Sequence, residues 1–139
     1  MIGCMHRVAP LPALLMALAV GGCAVPGECP AGYGAAVLAE AYFGRGVAGR
    51  EPVSDAEWAA FAAAELTPRF PEGMSVADIA GQWRGQDGAI VREPTKRVGI
   101  VLSDPDRQRP LLQQAAERDR ATFSQDSVLL VETTACARF

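Results

Sequence analysis

Histidine is almost missing from this chain: of its 139 residues only His6 is one. Among the four cysteines no pair has the CxxC spacing. A His-based catalytic triad and a zinc site of the usual ligand set are therefore excluded by inventory, and no metal or other cofactor is expected. Positive charge is also short, with 13 Lys and Arg against 16 Asp and Glu. Nucleic-acid affinity comes mainly from neutralising phosphates, so an acidic chain argues against that partner, and the third strand lacks the aromatic motif of an RNA-recognition fold. Long apolar runs are absent as well. The uncharged run at 8–20 is shorter than the roughly 20 residues that cross a bilayer, and Pro10 and Pro12 weaken it further.

That run, preceded by His6 and Arg7 and followed by small residues, reads as a signal peptide over residues 1–22. It ends Val20-Gly21-Gly22-Cys23, which resembles the lipobox of bacterial lipoproteins, in which small side chains precede a Cys that carries a diacylglycerol. The expectation is lipidation of Cys23, a membrane partner through that anchor, and a periplasm-facing location in the cell envelope. Ala24, which is not Asp, favours the outer membrane over the inner. Residues 23–34, with Pro26, Gly27, Pro30, Gly32 and Gly34, would form a short tether, leaving 35–139 as a single domain. Cys29 and Cys136 then stand one at each end of that domain. In an oxidising compartment they are expected to form a disulfide.

Within the domain, the residues at 35–43 are apolar apart from Glu40 and suggest a first strand. Ser54-Asp55-Ala56-Glu57 is a capping box that opens a helix, Trp58, Phe61, Ala62 and Leu66 fall on one stripe, and Thr67-Pro68 ends it. A second strand at about 74–83 contains Gly81, a sign of a bulge or of close backbone approach. Asp87-Gly88 marks a hairpin turn into a third strand at 90–102, interrupted at Pro94. A helix at about 107–123 buries Leu112, Ala115, Ala116 and Phe123, with Glu117-Arg118-Asp119-Arg120 on a solvated face. A last strand at 127–134 carries Val128-Leu129-Leu130-Val131, a run suited to a central position.

The order β-α-β-β-α-β predicts an α+β, ferredoxin-like fold: a four-stranded antiparallel sheet with strand order 4-1-3-2 and two helices on one face. Last strand beside first brings Cys29 and Cys136 to the same edge, so the topology and the disulfide support each other.

Six pieces in one order, Tyr42-Phe43-Gly44, Ser54-Asp55-Ala56-Glu57-Trp58, Pro68-Arg69-Phe70-Pro71-Glu72-Gly73, Gly81-Gln82-Trp83, Arg92-Glu93 and Phe123-Ser124-Gln125-Asp126-Ser127-Val128, resemble the bacterial family known as domain of unknown function 3574. The resemblance covers about 42–131. It implies a small, exported, often lipoprotein-like domain and lends no catalytic residues.

Arg69, Gln82, Trp83, Arg92, Glu93, Lys96, Gln125 and Ser127 are polar or amphipathic residues near strand ends and make up the candidate ligand-binding set. A pocket with a Trp wall, two cations and one carboxylate would suit a small anionic or sugar-like ligand. Simpler roles compete at each position: a core place for Trp83, an ion pair to Asp78 for Arg92, a hydroxyl donor or strand cap for Ser127. The first functional expectation is a lipid-anchored envelope protein whose domain is a non-catalytic binding or structural module. The alternative is a cofactor-free enzyme acting on a small molecule in a pocket on the sheet. A buried Glu93 or Glu40 beside Arg92 in an enclosed pocket favours the enzyme; an open, polar sheet face favours the module.

Overall fold

A computed structural model describes residues 28–85 and 87–139. The signal peptide, the lipobox and Cys23 lie outside the described residues.

The elements are β1 (Gly34–Gly44), α1 (Asp55–Phe61) continued by a π-helical turn (Ala62–Leu66), β2 (Ser75–Arg84), β3 (Ile90–Leu102), α2 (Pro105–Phe123) and β4 (Leu129–Ala137). The sheet is antiparallel throughout, in the order β2-β3-β1-β4, as the ferredoxin-like reading requires. Its register brings Ala35 opposite Cys136, and Cys29 is bonded to Cys136 with the two Cα atoms 5.5 Å apart. Among the described residues no helix is long and apolar enough to cross a membrane.

Local chemistry explains the boundaries. Ser54 Oγ accepts the Glu57 N–H at 3.2 Å while Glu57 Oε2 accepts the Ser54 N–H at 2.7 Å, so the capping box closes in both directions. Gly88 takes φ +83° in the hairpin turn, where a Cβ would be strained, and Asp87 Oδ1 accepts the Ala89 N–H at 2.9 Å. Pro94 does not interrupt β3. Thr95 is the last β3 residue that β1 reaches, and the Pro94 carbonyl accepts the Arg45 N–H just past the end of β1. In an extended strand a residue's nitrogen and carbonyl point the same way, so the nitrogen that cannot donate faces the end of the ladder, where no acceptor is left unmatched.

One core holds the molecule together. Phe43, Ala41 and Ala39 of β1 and Val98, Ile100 and Leu102 of β3 meet Trp58, Phe61 and Leu66 from the first helical segment and Leu112, Ala115 and Phe123 of α2. Both helices thus cover the same face. Phe43 lies 5.1 Å from Trp58 and 6.0 Å from Phe61, and Phe61 lies 5.6 Å from Phe123, ring centre to ring centre. Each buried large side chain contributes on the order of 1.5–3 kcal/mol relative to exposure, with tilted aromatic pairs adding to this.

Two expectations change here. β4 lies at the sheet edge, as the order 4-1-3-2 requires, so its apolar run does not take the central position that the run alone suggests: Leu129 is 59% exposed on the face away from the helices. Asp119 is not on a solvated face. It continues the stripe of Leu112, Ala115 and Ala116 toward Phe123, is 1% exposed, and neither carboxylate oxygen has a hydrogen-bond partner.

Candidate functional site

Alternation along the strands sorts the polar residues onto two faces. Phe43 opposes Lys96 and Ala41 opposes Val98 on the helix-covered side. Tyr42, Glu93, Thr95, Ile79, Gly81, Trp83 and Leu129 belong to the opposite parity and stand on the free face. A cavity of about 190 Å³ opens there, where the β2–β3 hairpin end approaches the loop from α2 to β4. Tyr42, Ile79, Trp83, Leu129, Glu93 and Thr95 line it, with Gln125, Asp126 and Ser127 closing one side.

Glu93 is its anchor. Trp83 Nε1–H donates to Oε1 at 2.8 Å, and the Gly46 N–H donates to Oε2 at 2.7 Å. The glycines around it make the room. A Cβ at Gly44 would sit 2.7 Å from Oε1, and one at Gly46 would sit 2.6 Å from Oε2. Gly81 is in register with Glu93 and has no bulge; a Cβ there would collide with Thr95 Oγ1, which is the close approach its position in a strand foreshadows. Gln125 ties the α2 end to the same loop by donating from Nε2 to the Gly46 carbonyl at 2.8 Å. The left-handed Ser124, φ 55°, turns the chain out of α2 so that Gln125, Asp126 and Ser127 reach the cavity.

Of the eight candidate residues, Trp83, Glu93, Gln125 and Ser127 come together here, while Gln82, in register with Arg92 and so of the other strand parity, only borders the cavity. The three cations do not join them in this cavity. Lys96 is three residues from Glu93, hence on the other face: it is 7% exposed and donates to Asp78 at 2.6 Å and Asp55 at 3.2 Å. Its pKa is raised, chiefly by the Asp78 hydrogen bond, and that of Asp55 is lowered, chiefly by the Lys96 hydrogen bond. Arg45 completes this cluster at 2.9 Å from Asp55 and 3.7 Å from Asp78. The anticipated Arg92–Asp78 pair is therefore replaced by Lys96 and Arg45. Arg92 is exposed and borders an adjoining recess that shares Glu93 and Trp83. Arg69 remains at the end of the first helical segment, 2.8 Å from Glu65 Oε2 and bonded to the Glu65 carbonyl.

Trp83 is likewise not core; Trp58 fills that role, and Trp83 is a half-buried wall. Glu40, on the free face of β1, accepts from Tyr42 Oη at 3.4 Å and lies 3.7 Å from Arg97, not beside Arg92. The residues not anticipated are Tyr42, Ile79, Thr95, Asp126 and Leu129. Tracing the period of two outward from Glu93 across its neighbours is the signal that would have found the strand residues among them.

The arrangement thus differs in charge from the pocket expected. Among the described residues no Lys or Arg lines the cavity, while two carboxylates do. It is neither fully enclosed nor an open polar face.

The model of the family described as "Protein of unknown function (DUF3574)" matches residues 39–139. Among curated proteins no match is found. Two solved structures resemble the chain: a phage SAM lyase in complex with S-methyl-5'-thioadenosine, 13% identical with a TM-score of 0.60 over 83% of this chain and 96% of that one, and a phage SAM lyase in the apo state, 21% identical with a TM-score of 0.52 over 81% and 96%. At these identities the likeness is one of fold.

Proposed function

We propose, for a chain that belongs to the DUF3574 family, that the domain binds a small molecule in the cavity on the free face of its sheet, and that a lipid on Cys23 holds it at the cell envelope. The observation that carries the binding reading is the fixed Glu93 carboxylate set into a cavity with aromatic and aliphatic walls, the usual composition of a ligand site. The envelope reading rests on Val20-Gly21-Gly22-Cys23 and draws support from the Cys29–Cys136 bridge, a bond that persists in oxidising compartments.

Binding is tested with S-methyl-5'-thioadenosine, the molecule held by one of the solved neighbours. Saturable quenching of tryptophan fluorescence, lost in Trp83→Leu, supports the reading; no change up to millimolar concentration with this nucleoside and with charged and neutral small molecules alike counts against it. Anchoring is tested by mass spectrometry of the protein from membranes. The reading requires a peptide beginning at Cys23 with diacylglycerol mass and its loss in Cys23→Ala.

A second reading, favoured by the fold likeness to a lyase that handles a small molecule, is a cofactor-free enzyme in which Glu93 contacts the substrate. Incubation with SAM tests it: a first-order loss of SAM that Glu93→Gln abolishes would replace the non-catalytic module with an enzyme.

A further inference from the structure

We infer that the ligand of this cavity is a small organic cation, with Glu93 as its counter-charge. The inference rests on the reading that the cavity binds a small molecule and adds the charge of that molecule.

The first observation is what Glu93 lacks. Its two oxygens each accept one neutral N–H, from Trp83 and from Gly46, and an ionised carboxylate has about four acceptor positions. Those donors fix its position without neutralising it. Among the described residues, no Lys or Arg forms an ion pair with Glu93. Three nearby cations are committed elsewhere, Lys96 and Arg45 to Asp55 and Asp78 beneath the sheet and Arg97 to Glu40, while Arg92, of the opposite strand parity to Glu93, borders the adjoining recess and forms no ion pair with it.

The second observation is the wall. Trp83 and Tyr42 line the cavity with Ile79 and Leu129, so Glu93 acts through apolar surroundings that concentrate its field, and aromatic faces attract cations in their own right. Asp126 adds a second negative charge to the lining. Inside this cavity an anion would meet two carboxylates and, among the described residues, no cation, Arg92 lying in the adjoining recess. A neutral ligand would leave Glu93 uncompensated.

The third observation separates an organic cation from a metal ion. Among the described residues no group of three His, Cys, Asp or Glu side chains is placed to hold a metal, whereas a cation with its charge spread over alkyl groups needs no ligand shell and matches aromatic and aliphatic walls.

The test compares choline with its neutral isostere 3,3-dimethylbutan-1-ol, and uses S-methyl-5'-thioadenosine as an uncharged control. Binding is read on the ¹⁵N-labelled protein from the Trp83 indole N–H signal, one of two tryptophan signals in the chain and identified by its loss in Trp83→Phe. At low salt choline is expected to bind about tenfold more tightly than the isostere, and Glu93→Gln to reduce that preference to about unity. Equal binding of choline and isostere to the wild-type protein overturns the proposal, and so does a preference that survives in folded Glu93→Gln. Should Glu93→Gln fail to fold, the wild-type comparison decides alone. If only the thioether nucleoside moves the signal, the charge assignment fails and the binding reading stands. If none of the three moves it, both fail.

Discussion

Replacing Asp119 by Asn should stabilise the protein at alkaline pH and remove most of its pH dependence between about pH 4 and 8. Asp119 is 1% exposed and has no hydrogen-bond partner for either oxygen; desolvation pushes its pKa up from 3.8 to about 7. The folded state therefore holds a proton that the unfolded state has released over this interval. Stability must fall as pH rises through it and level off above the folded value. The shift of about three units corresponds to roughly 4 kcal/mol, an upper bound because a buried site relaxes. Asn has nearly the same volume and stays neutral, so it should match the fully protonated wild type found below about pH 4. Above that it should exceed the wild type by a margin that grows by about 1.4 kcal/mol per pH unit up to about pH 7 and then levels off. With a urea slope of about 1–3 kcal/mol/M, that difference moves the unfolding midpoint by roughly 1 M or more. The slope can be attributed because the chain's single histidine, His6, lies outside the folded elements described. Urea unfolding of wild type and Asp119→Asn at pH 5, 6.5 and 8 decides it. A wild type equally stable at pH 5 and pH 8, or an Asn variant with the same slope, would refute the reasoning.

Three other outcomes are expected. Below about pH 4 the sign reverses, because Asp55, Glu57 and Glu132 have pKa values held down by Lys96, by the Ser54 backbone N–H and by Arg109 respectively; acid titration followed by circular dichroism should show stability lost only below that point. Cys29→Ser should cost about 2–4 kcal/mol in urea unfolding, because the bridge closes a span of 107 residues, and an unchanged midpoint would rule out an entropic role for it. Gly46→Ala should destabilise by about 1–3 kcal/mol by pressing on Glu93, and most of that cost should disappear in a Glu93→Ala background, so a double-mutant cycle with no coupling would place the strain elsewhere.

The chain's fold was largely legible because its local signals agree with one another. The capping box at Ser54, the turn at Asp87-Gly88 and the alternation at Val98, Ile100 and Leu102 each mark an element without tertiary help, and the two cysteines join the ends that the topology brings together. The site was legible only in part. Glu93, Trp83 and Gln125 were identifiable as polar groups at strand ends, but grouping Lys96 with Glu93 overlooked that positions three apart on a strand face opposite ways. Asp119 was misplaced because its charged neighbours Glu117, Arg118 and Arg120 suggest a wet face, whereas its spacing from Ala115 and Phe123 puts it on the dry one. The apolar run of β4 suggests a central strand, but the order 4-1-3-2 that follows from the β-α-β-β-α-β sequence already puts it at the edge, and topology outranks the run.

The place of Lys96 under the sheet has a physical consequence for the site. Lys96 and Arg45 are held beneath the sheet by Asp55 and Asp78, and the capped start of α1 fixes Asp55 in place to receive them. This cluster adds no cation to the free face. Among the described residues Glu93 has no ion-pair partner, and Gly44, Gly46 and Gly81 provide the close backbone packing that holds Glu93 and Thr95 there. A purely structural group at Glu93 would need only to accept the Trp83 and Gly46 N–H bonds, and a neutral acceptor or a water could do that at lower desolvation cost than a carboxylate. The carboxylate is explained if its charge is used by something outside the chain, and the apolar walls of the cavity restrict that partner to one that brings its own positive charge and little hydration.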